Sequence, residues 1–302
     1  MQDVIVIGGG TAGLAAALIL GRSRRRTIVV HEGPPRNAPA AAAHGVFTRD
    51  GTPPGELLAI ARDQLVPYES VSLQGGRAVR AARDGSGFAI GLSDGSELRA
   101  RRLLLAVGVR DELPPIEGVT GLWGRGVLHC PYCHGWEVRD APIAVRARGE
   151  VAMHMAGLLL QWSRDLLLCT DGPAELSASD RDILAAHGVR IVETPIRCLE
   201  GTNALDRIVF EDGRTEARRA LFIRPPQTLG SDLPAQLGCE LTESGLIQIG
   251  PDHQTSVPGV YAAGDATGPA QKVALAAASG IQAAVMLNGA LAQEDFAAAA
   301  VA

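Results

Sequence analysis

Lysine is almost missing from this chain. Lys272 is the only one, so the rest of its 28 cationic side chains are arginines. Against them stand 33 acidic residues, giving a formal net charge of −5 and a pI near 5.8. A basic footprint for nucleic acid or an anionic membrane surface is therefore lacking, and neither partner is expected. Long apolar runs are lacking too: no stretch approaches the ~18–20 uninterrupted apolar residues of a membrane span. Val4, Ile5, Val6 and Ile7 read as a buried strand with no secretory leader ahead of them, so a cytoplasmic location is expected. Cysteine is scarce and odd in number, five, which excludes a disulfide framework. Cys169, Cys198 and Cys239 stand alone in apolar surroundings and read as buried thiols. Disorder and coiled coil are excluded by 46% hydrophobic against 20% charged residues.

What is present is a βαβ rhythm, in a length suited to one or two domains. Residues 3–7 read as a strand, 8–13 as a glycine turn, 14–20 as a helix and 27–30 as a strand ending near Glu32. Residues 33–55 carry repeated Pro and Gly and form a loop long enough to suggest function. A helix is expected at 56–65 and strands at 76–81, 87–92 and 103–107. A second alternation starts near Glu112, with strands at 143–145, 165–169, 189–193, 207–210 and 220–223 and helices at 151–162 and 180–187. Beyond Cys239 come segments at 245–249 and 259–263, a small-residue helix at 271–291 and an Ala-rich, frayed tail at 297–302. The pattern predicts an α/β fold in which one parallel-sheet domain is interrupted by another.

The first motif is Gly8-Gly9-Gly10-Thr11-Ala12-Gly13. It satisfies G-x-G-x-x-G, follows a strand, opens a helix and is followed by Glu32 at the end of the next strand. Gly8, Gly10 and Gly13 permit the tight turn and let backbone N–H groups approach a pyrophosphate at the helix N-terminus, while Glu32 can accept from ribose hydroxyls. The second motif is Thr255-Ser256-Val257-Pro258-Gly259-Val260-Tyr261-Ala262-Ala263-Gly264-Asp265, followed by Gln271-Lys272-Val273. Asp265 can bind a ribityl hydroxyl, and the N-terminus of the next helix can stabilise negative charge on a reduced flavin ring. Together the two motifs resemble the FAD domain of flavoproteins with two dinucleotide-binding domains, so FAD is expected as the cofactor.

The third motif is His129-Cys130-Pro131-Tyr132-Cys133-His134-Gly135-Trp136-Glu137. A Cys-x-x-Cys in the second domain is similar to that of the low-molecular-weight thioredoxin reductases, a resemblance covering nearly the whole chain. It implies two Rossmann-like three-layer units, the second inserted in the first, with FAD bound by residues 1–111 and 241–302 and the redox pair carried by 112–240. It also implies that Cys133 abuts the flavin, that Cys130 exchanges with substrate, and that the protein is a homodimer. Thiol exchange needs sulfurs close together with lowered pKa values. His134 stands where those reductases carry an acid; it is either the base for the incoming thiol or a partly exposed loop histidine. His129, Cys130, Cys133 and His134 are also possible zinc ligands, but structural zinc takes ligand pairs from separate segments and the other cysteines are isolated, so no metal is expected. Trp123 and Trp136 flank the cysteines and either line a substrate pocket or pack on the core. Arg22, Arg24, Arg25 and Arg26 read as a solvated helix end.

Thioredoxin reductases bind NADPH at a second glycine fingerprint. Here the stretch reads Val145-Arg146-Ala147-Arg148-Gly149-Glu150-Val151-Ala152, with only Gly149 in place. Ala147 crowds the turn, Arg148 and Glu150 crowd the phosphate approach, and Asp171 after the next strand would repel a 2′-phosphate; Arg146 and Arg148 could still draw a phosphate in. The loop Pro35-Arg36-Asn37…His44-Gly45 with Cys-Pro-Tyr-Cys-His-Gly-Trp-Glu resembles the FAD-dependent dithiol oxidases that close disulfides in gliotoxin, holomycin and romidepsin. That resemblance implies Asn37 and His44 near FAD and Ala106 in contact with it; His44 could equally be a loop histidine capping carbonyls. The expected activity is oxidation of a small-molecule dithiol with O2 as acceptor, giving H2O2. The alternative is an NAD(P)H-dependent disulfide reductase.

Overall fold

The protein is described by a computed structural model over residues 1–299. In chain order, β1 (Gln2–Ile7), α1 (Thr11–Arg22), β2 (Thr27–His31), α2 (Pro54–Asp63), β3 (Val71–Gly75), β4 (Ala78–Asp84), β5 (Gly87–Leu92), β6 (Glu97–Leu105) and β7 (Val109–Asp111) come first. Then follow α3 (Val119–Leu122), β8 (Val127–Leu128), α4 (Pro131–His134), a 3₁₀ turn at Trp136–Val138, β9 (Ile143–Arg146), α5 (Gly149–Leu159), β10 (Leu166–Cys169) and α6 (Ala178–Ala186). After them come β11 (Arg190–Val192), β12 (Ile196–Glu200), β13 (Arg207–Phe210), β14 (Thr215–Ala217) and β15 (Ala220–Ile223). The chain closes with β16 (Gln227–Leu229), α7 (Leu233–Leu237), β17 (Val260–Ala262) and α8 (Val273–Ala299).

Two compact units result. One comprises Met1–Arg36, Val46–Arg110 and Gln227–Ala302; the other comprises Asn37–Gly45 and Asp111–Pro226. Residues 227–240 group with the first unit because α7 packs on β4, where the Ala81 N–H donates to Gln236 Oε1 at 2.9 Å. Residues 37–45 group with the second, where a Cβ on Gly124 would press on Pro39 and Ala40.

The first unit is built on a seven-stranded sheet in the order β3-β2-β1-β6-β5-β4, with β17 on β6. β1, β2, β3, β6 and β17 run parallel, and the β4–β5 hairpin joins antiparallel to the start of β6. Val4, Ile5 and Val6 are fully buried because this strand is covered on both faces. Register aligns Ile7 with Val30 and Leu105, and Leu105 with Ala262, so the carboxyl ends of four strands share one edge. That edge is the switch point where β2 and β6 leave β1 on opposite sides, the usual place for a ligand in an open α/β sheet.

α8 covers one face together with α1. A Cβ on Gly280 would overlap the Ala12 carbonyl, and Ala283, Ala284, Leu287 and Leu291 are buried. The helix is long and apolar enough to cross a membrane by length and composition. The rule of uninterrupted apolar residues missed it because Ser279, Gln282 and Asn288 break the run. It also continues past the expected end at 291: residues 297–299 are helical, while 300–302 lie outside the described residues. Arg25 and Arg101 bind Asp295, which holds this last stretch against the sheet.

The second unit carries a five-stranded parallel sheet, β11-β10-β9-β15-β8, and a three-stranded antiparallel sheet, β12-β13-β14. Cys169 with Arg146, Arg146 with Ile223 and Phe222 with Leu128 are in register. The residues after these strands, Thr170, Ala147, Arg224 and His129, therefore emerge along one edge. The Cys pair stands at one end of that edge and the altered glycine turn in its middle. This is the α/β architecture expected, two units each built on a parallel sheet, the second interrupting the first. Segment 245–249 makes isolated bridges from Ile247 and Ile249. Of the lone cysteines, Cys169 and Cys239 are buried; Cys198, on β12, is only half-buried, contrary to expectation.

Candidate active site

The glycine turn after β1 forms a cradle. Gly8 has φ +118, and a Cβ there would overlap the Ala106 carbonyl; a Cβ on Gly13 would overlap the carbonyl of Gly8. Gly10 is the N-cap of α1 but offers no side-chain acceptor, and a Cβ there would meet nothing within 4 Å. The first N–H groups of α1, beginning at Thr11 and Ala12, are left without a side-chain cap, which suits a pyrophosphate. Gly264, with φ +79, closes on Ala12, and its N–H donates to Ser279 Oγ at 3.0 Å. Glu32 sits half-exposed just past β2, with Arg77 Nε 3.7 Å from its carboxylate. These residues fit the adenosine diphosphate half of FAD.

Around the β17 end, a polar cluster holds the second motif. Arg36 Nη1 donates to Asp265 Oδ2 at 3.2 Å and to Gln271 Oε1 at 2.7 Å. Gln271 exchanges two hydrogen bonds with Gln227, at 3.0 and 2.8 Å. Lys272 and Val273 lead into α8. Asp265, expected to meet a ribityl hydroxyl, is thus already paired with a cation. Arg36 was not expected as a site residue; its only sequence signal is its place in the long loop.

In the second unit, Cys130 caps α4 and Cys133 lies one turn on. Their sulfurs are joined, with Cα atoms 5.3 Å apart. Pro131 at N1 suits the start of so short a helix, and the Cys133 N–H closes the turn onto the Cys130 carbonyl at 3.1 Å. Trp123 is half-buried and stacks on His129 with centroids 5.6 Å apart, whereas Trp136 is exposed under the Arg139 guanidinium. Tyr132 is exposed beside the disulfide and meets Trp162 edge-on.

His134 ends α4, and both of its ring nitrogens are buried with no hydrogen-bond partner among the described residues. Burial pushes its pKa below the ordinary histidine value. Glu137 opposes that shift, His44 adds to it, and the nearby Cys130 carbonyl, outside hydrogen-bond geometry, opposes it weakly. The imidazole is therefore neutral at pH 7, with a lone pair available. His44 groups with this unit, along with Asn37, and its Nε2 lies 3.3 Å from Glu137 Oε1. Glu137 was not expected as a site residue.

At the ends of β9 and β10 the side chains of Arg146, Arg148 and Asp171 form a paired cluster. Arg146 donates to Asp171 Oδ2 from Nη2 at 2.6 Å and from Nε at 3.2 Å. The Ile196 N–H donates to Asp171 Oδ1 at 2.9 Å. Burial raises the Asp171 pKa, but these bonds outweigh it and hold the carboxyl below its usual range. Arg148 caps α5 and folds back, donating to the carbonyls of Thr170 (2.6 Å) and Asp171. Asp171 therefore carries no unpaired charge to repel a phosphate. A cavity of about 280 Å³ remains beside it, lined by Arg146, Ala147, Arg148, Val151, Thr170 and Arg224.

Residues 2–283 match the family described as pyridine nucleotide-disulphide oxidoreductase. The thioredoxin reductase sirT of Leptosphaeria maculans is 34% identical over 307 residues, covering 95% of this chain and 93% of that protein. The thioredoxin reductase aclD of Aspergillus oryzae is 31% identical, covering 97% of each chain. Among solved structures, that of HlmI is similar with a TM-score of 0.93 at 39% identity, covering 99% of this chain and 95% of the other.

Proposed function

This chain belongs to the pyridine nucleotide-disulphide oxidoreductase family and is an FAD-dependent thiol/disulfide oxidoreductase, and we propose that within this family it is a dithiol oxidase. In this proposal it closes a disulfide in a small-molecule dithiol and passes the electrons to O2. Its relatives sirT and aclD carry thioredoxin reductase names, which support the thiol chemistry but not the direction of electron flow.

His134 takes the proton of the first substrate thiol, and the thiolate attacks Cys130 Sγ. A substrate–Cys130 bond forms, the Cys130–Cys133 bond breaks, and its electron pair remains on Cys133. The second substrate thiol loses its proton and attacks the substrate sulfur of the mixed disulfide, releasing the cyclised product and Cys130 as thiolate. The Cys130 thiolate then re-forms its bond to Cys133 as the electron pair leaves that sulfur; bound FAD would supply the acceptor for this pair and its onward route to O2, which with the two protons lost by the substrate thiols gives one H2O2 per disulfide. In the first unit, Gly8, Gly10, Gly13, Thr11 and Ala12 hold the pyrophosphate, Glu32 the ribose, and Ala106, Gly264, Asp265, Gln271, Lys272 and Val273 the flavin half. A cytoplasmic homodimer belongs to the same proposal and rests on the family resemblance.

The observation that carries the proposal is the Arg146–Asp171–Arg148 cluster, whose side chains are paired with one another and with backbone carbonyls at the turn where a second nucleotide fingerprint would need glycines. One feature favours the NAD(P)H-dependent reductase instead: the remaining cavity is lined by three arginines and could attract a phosphate. The test is peroxide production across a panel of reduced small dithiols, with oxygen uptake and disulfide formation in equal amounts. Turnover that requires NADPH would favour the reductase.

A further inference from the structure

We propose that Glu137 is a positioning residue for thiol deprotonation, acting on His134 both through its own charge and through His44. The proposal deepens the dithiol-exchange reading above and rests on it.

His134, His44 and Glu137 come from three places: the last residue of α4, the long loop after β2, and the 3₁₀ turn at Trp136–Val138. Gly135 makes their meeting possible. A Cβ there would overlap the Pro131 carbonyl and press on the Trp162 ring, so only glycine lets the chain pass this tightly from His134 to Glu137. Glu137 then reaches His44 at 3.3 Å. Glu137 favours the charged form of His134 and His44 disfavours it, so the two bias the buried ring in opposite directions. A histidine whose two ring nitrogens are both buried and unpartnered is costly as a purely structural residue, because each nitrogen has given up water for nothing. It is suited to accept a proton from a group that arrives with the substrate.

The groups facing His134 are Glu137, His44 and the Cys130 carbonyl dipole; Cys130 and Cys133, joined to each other, do not titrate. Glu137 favours the protonated ring and His44 disfavours it, so removing them should move the base in opposite directions. An ion pair that merely ties residues 37–45 to this unit would have no such signature.

The experiment is anaerobic opening of the Cys130–Cys133 disulfide by dithiothreitol in the FAD-loaded protein, quenched with a thiol-alkylating reagent and read by mass spectrometry between about pH 5 and pH 9. Without oxygen the flavin takes one electron pair from the opened thiols and no more, so alkylatable thiol and flavin bleaching are summed to give the initial rate of opening. The wild-type rate should rise with pH through an acid limb to a plateau. Glu137→Gln should move that limb to lower pH and reduce the plateau about tenfold, the lower end of general-base effects after partial loss. Glu137→Asp should recover part of the plateau, and His44→Asn should move the limb to higher pH. Limbs that stay in place in both Glu137→Gln and His44→Asn overturn the role of Glu137 while leaving the oxidase intact. A wild-type disulfide that dithiothreitol does not open overturns both.

Discussion

Arg146 donates twice to one oxygen of Asp171, at 2.6 and 3.2 Å, while Asp171 also takes the Ile196 N–H with its other oxygen. The pair lies at the carboxyl ends of adjacent parallel strands, where an open α/β sheet presents its ligands. The Asp171 charge is thereby neutralised at the edge where a nucleotide phosphate would approach.

Opening the groove should change what it admits. Arg148→Gly combined with Ala147→Gly removes the folded-back guanidinium and relaxes the turn before α5. NADPH affinity should rise at least about tenfold over wild type in calorimetric titration, a change of ~1.4 kcal/mol. Asp171→Ala should instead cost roughly 2 kcal/mol of stability, because it strands both the Arg146 charge and a backbone N–H. Denaturant unfolding measures that loss.

Gly10 separates fold from ligand. Its φ of −80 suits any residue, and a Cβ would meet no protein atom. Gly10→Ala should cost the FAD-free protein no more than ~1 kcal/mol, the scale of a changed helix cap. If the open space belongs to FAD, flavin affinity should fall by an order of magnitude or more, measured by fluorescence titration of the stripped protein. Gly8→Ala should damage both, since its Cβ would overlap the Ala106 carbonyl.

The cysteines should be inseparable in turnover. Cys130→Ser and Cys133→Ser should each reduce dithiol-dependent oxygen uptake by about 10³-fold or more, because neither single thiol can store the electron pair. Cys169 should be inert to alkylation in the folded protein, since burial pushes its thiol to about 12.

His134 gives stability a pH dependence with a definite sign. Its folded pKa is lowered by burial, so the unfolded chain binds the proton first as pH falls. Its contribution is therefore complete above the unfolded value near ~6.5 and is lost as pH drops through the lower folded value. Thermal unfolding across that window should be steeper in wild type than in His134→Gln.

Much of the fold could be read from the chain. The glycine turn between a buried strand and an Ala/Leu helix, with Glu32 behind it, announces the first βαβ unit, and Cys-x-x-Cys announces the redox turn. β3 escaped because it is an exposed edge strand with no alternating pattern, and β12 and β14 because charged residues interrupt them. Asp171 was legible as a charge but not as a partner of Arg146, 25 residues away across two parallel strands. Glu137 and Arg36 were invisible for the same reason: their chemistry depends on His44 and Asp265, which only tertiary folding brings to them.

The most direct measurement is an anaerobic titration of the FAD-loaded protein, followed by flavin absorbance, with NADPH in one cell and a reduced dithiol in the other. A dithiol oxidase should stay oxidised with NADPH and bleach with about one equivalent of dithiol, the two electrons arriving through Cys133. Bleaching by stoichiometric NADPH would contradict it, and would make the protein a reductase whose arginine-lined groove still takes the nucleotide.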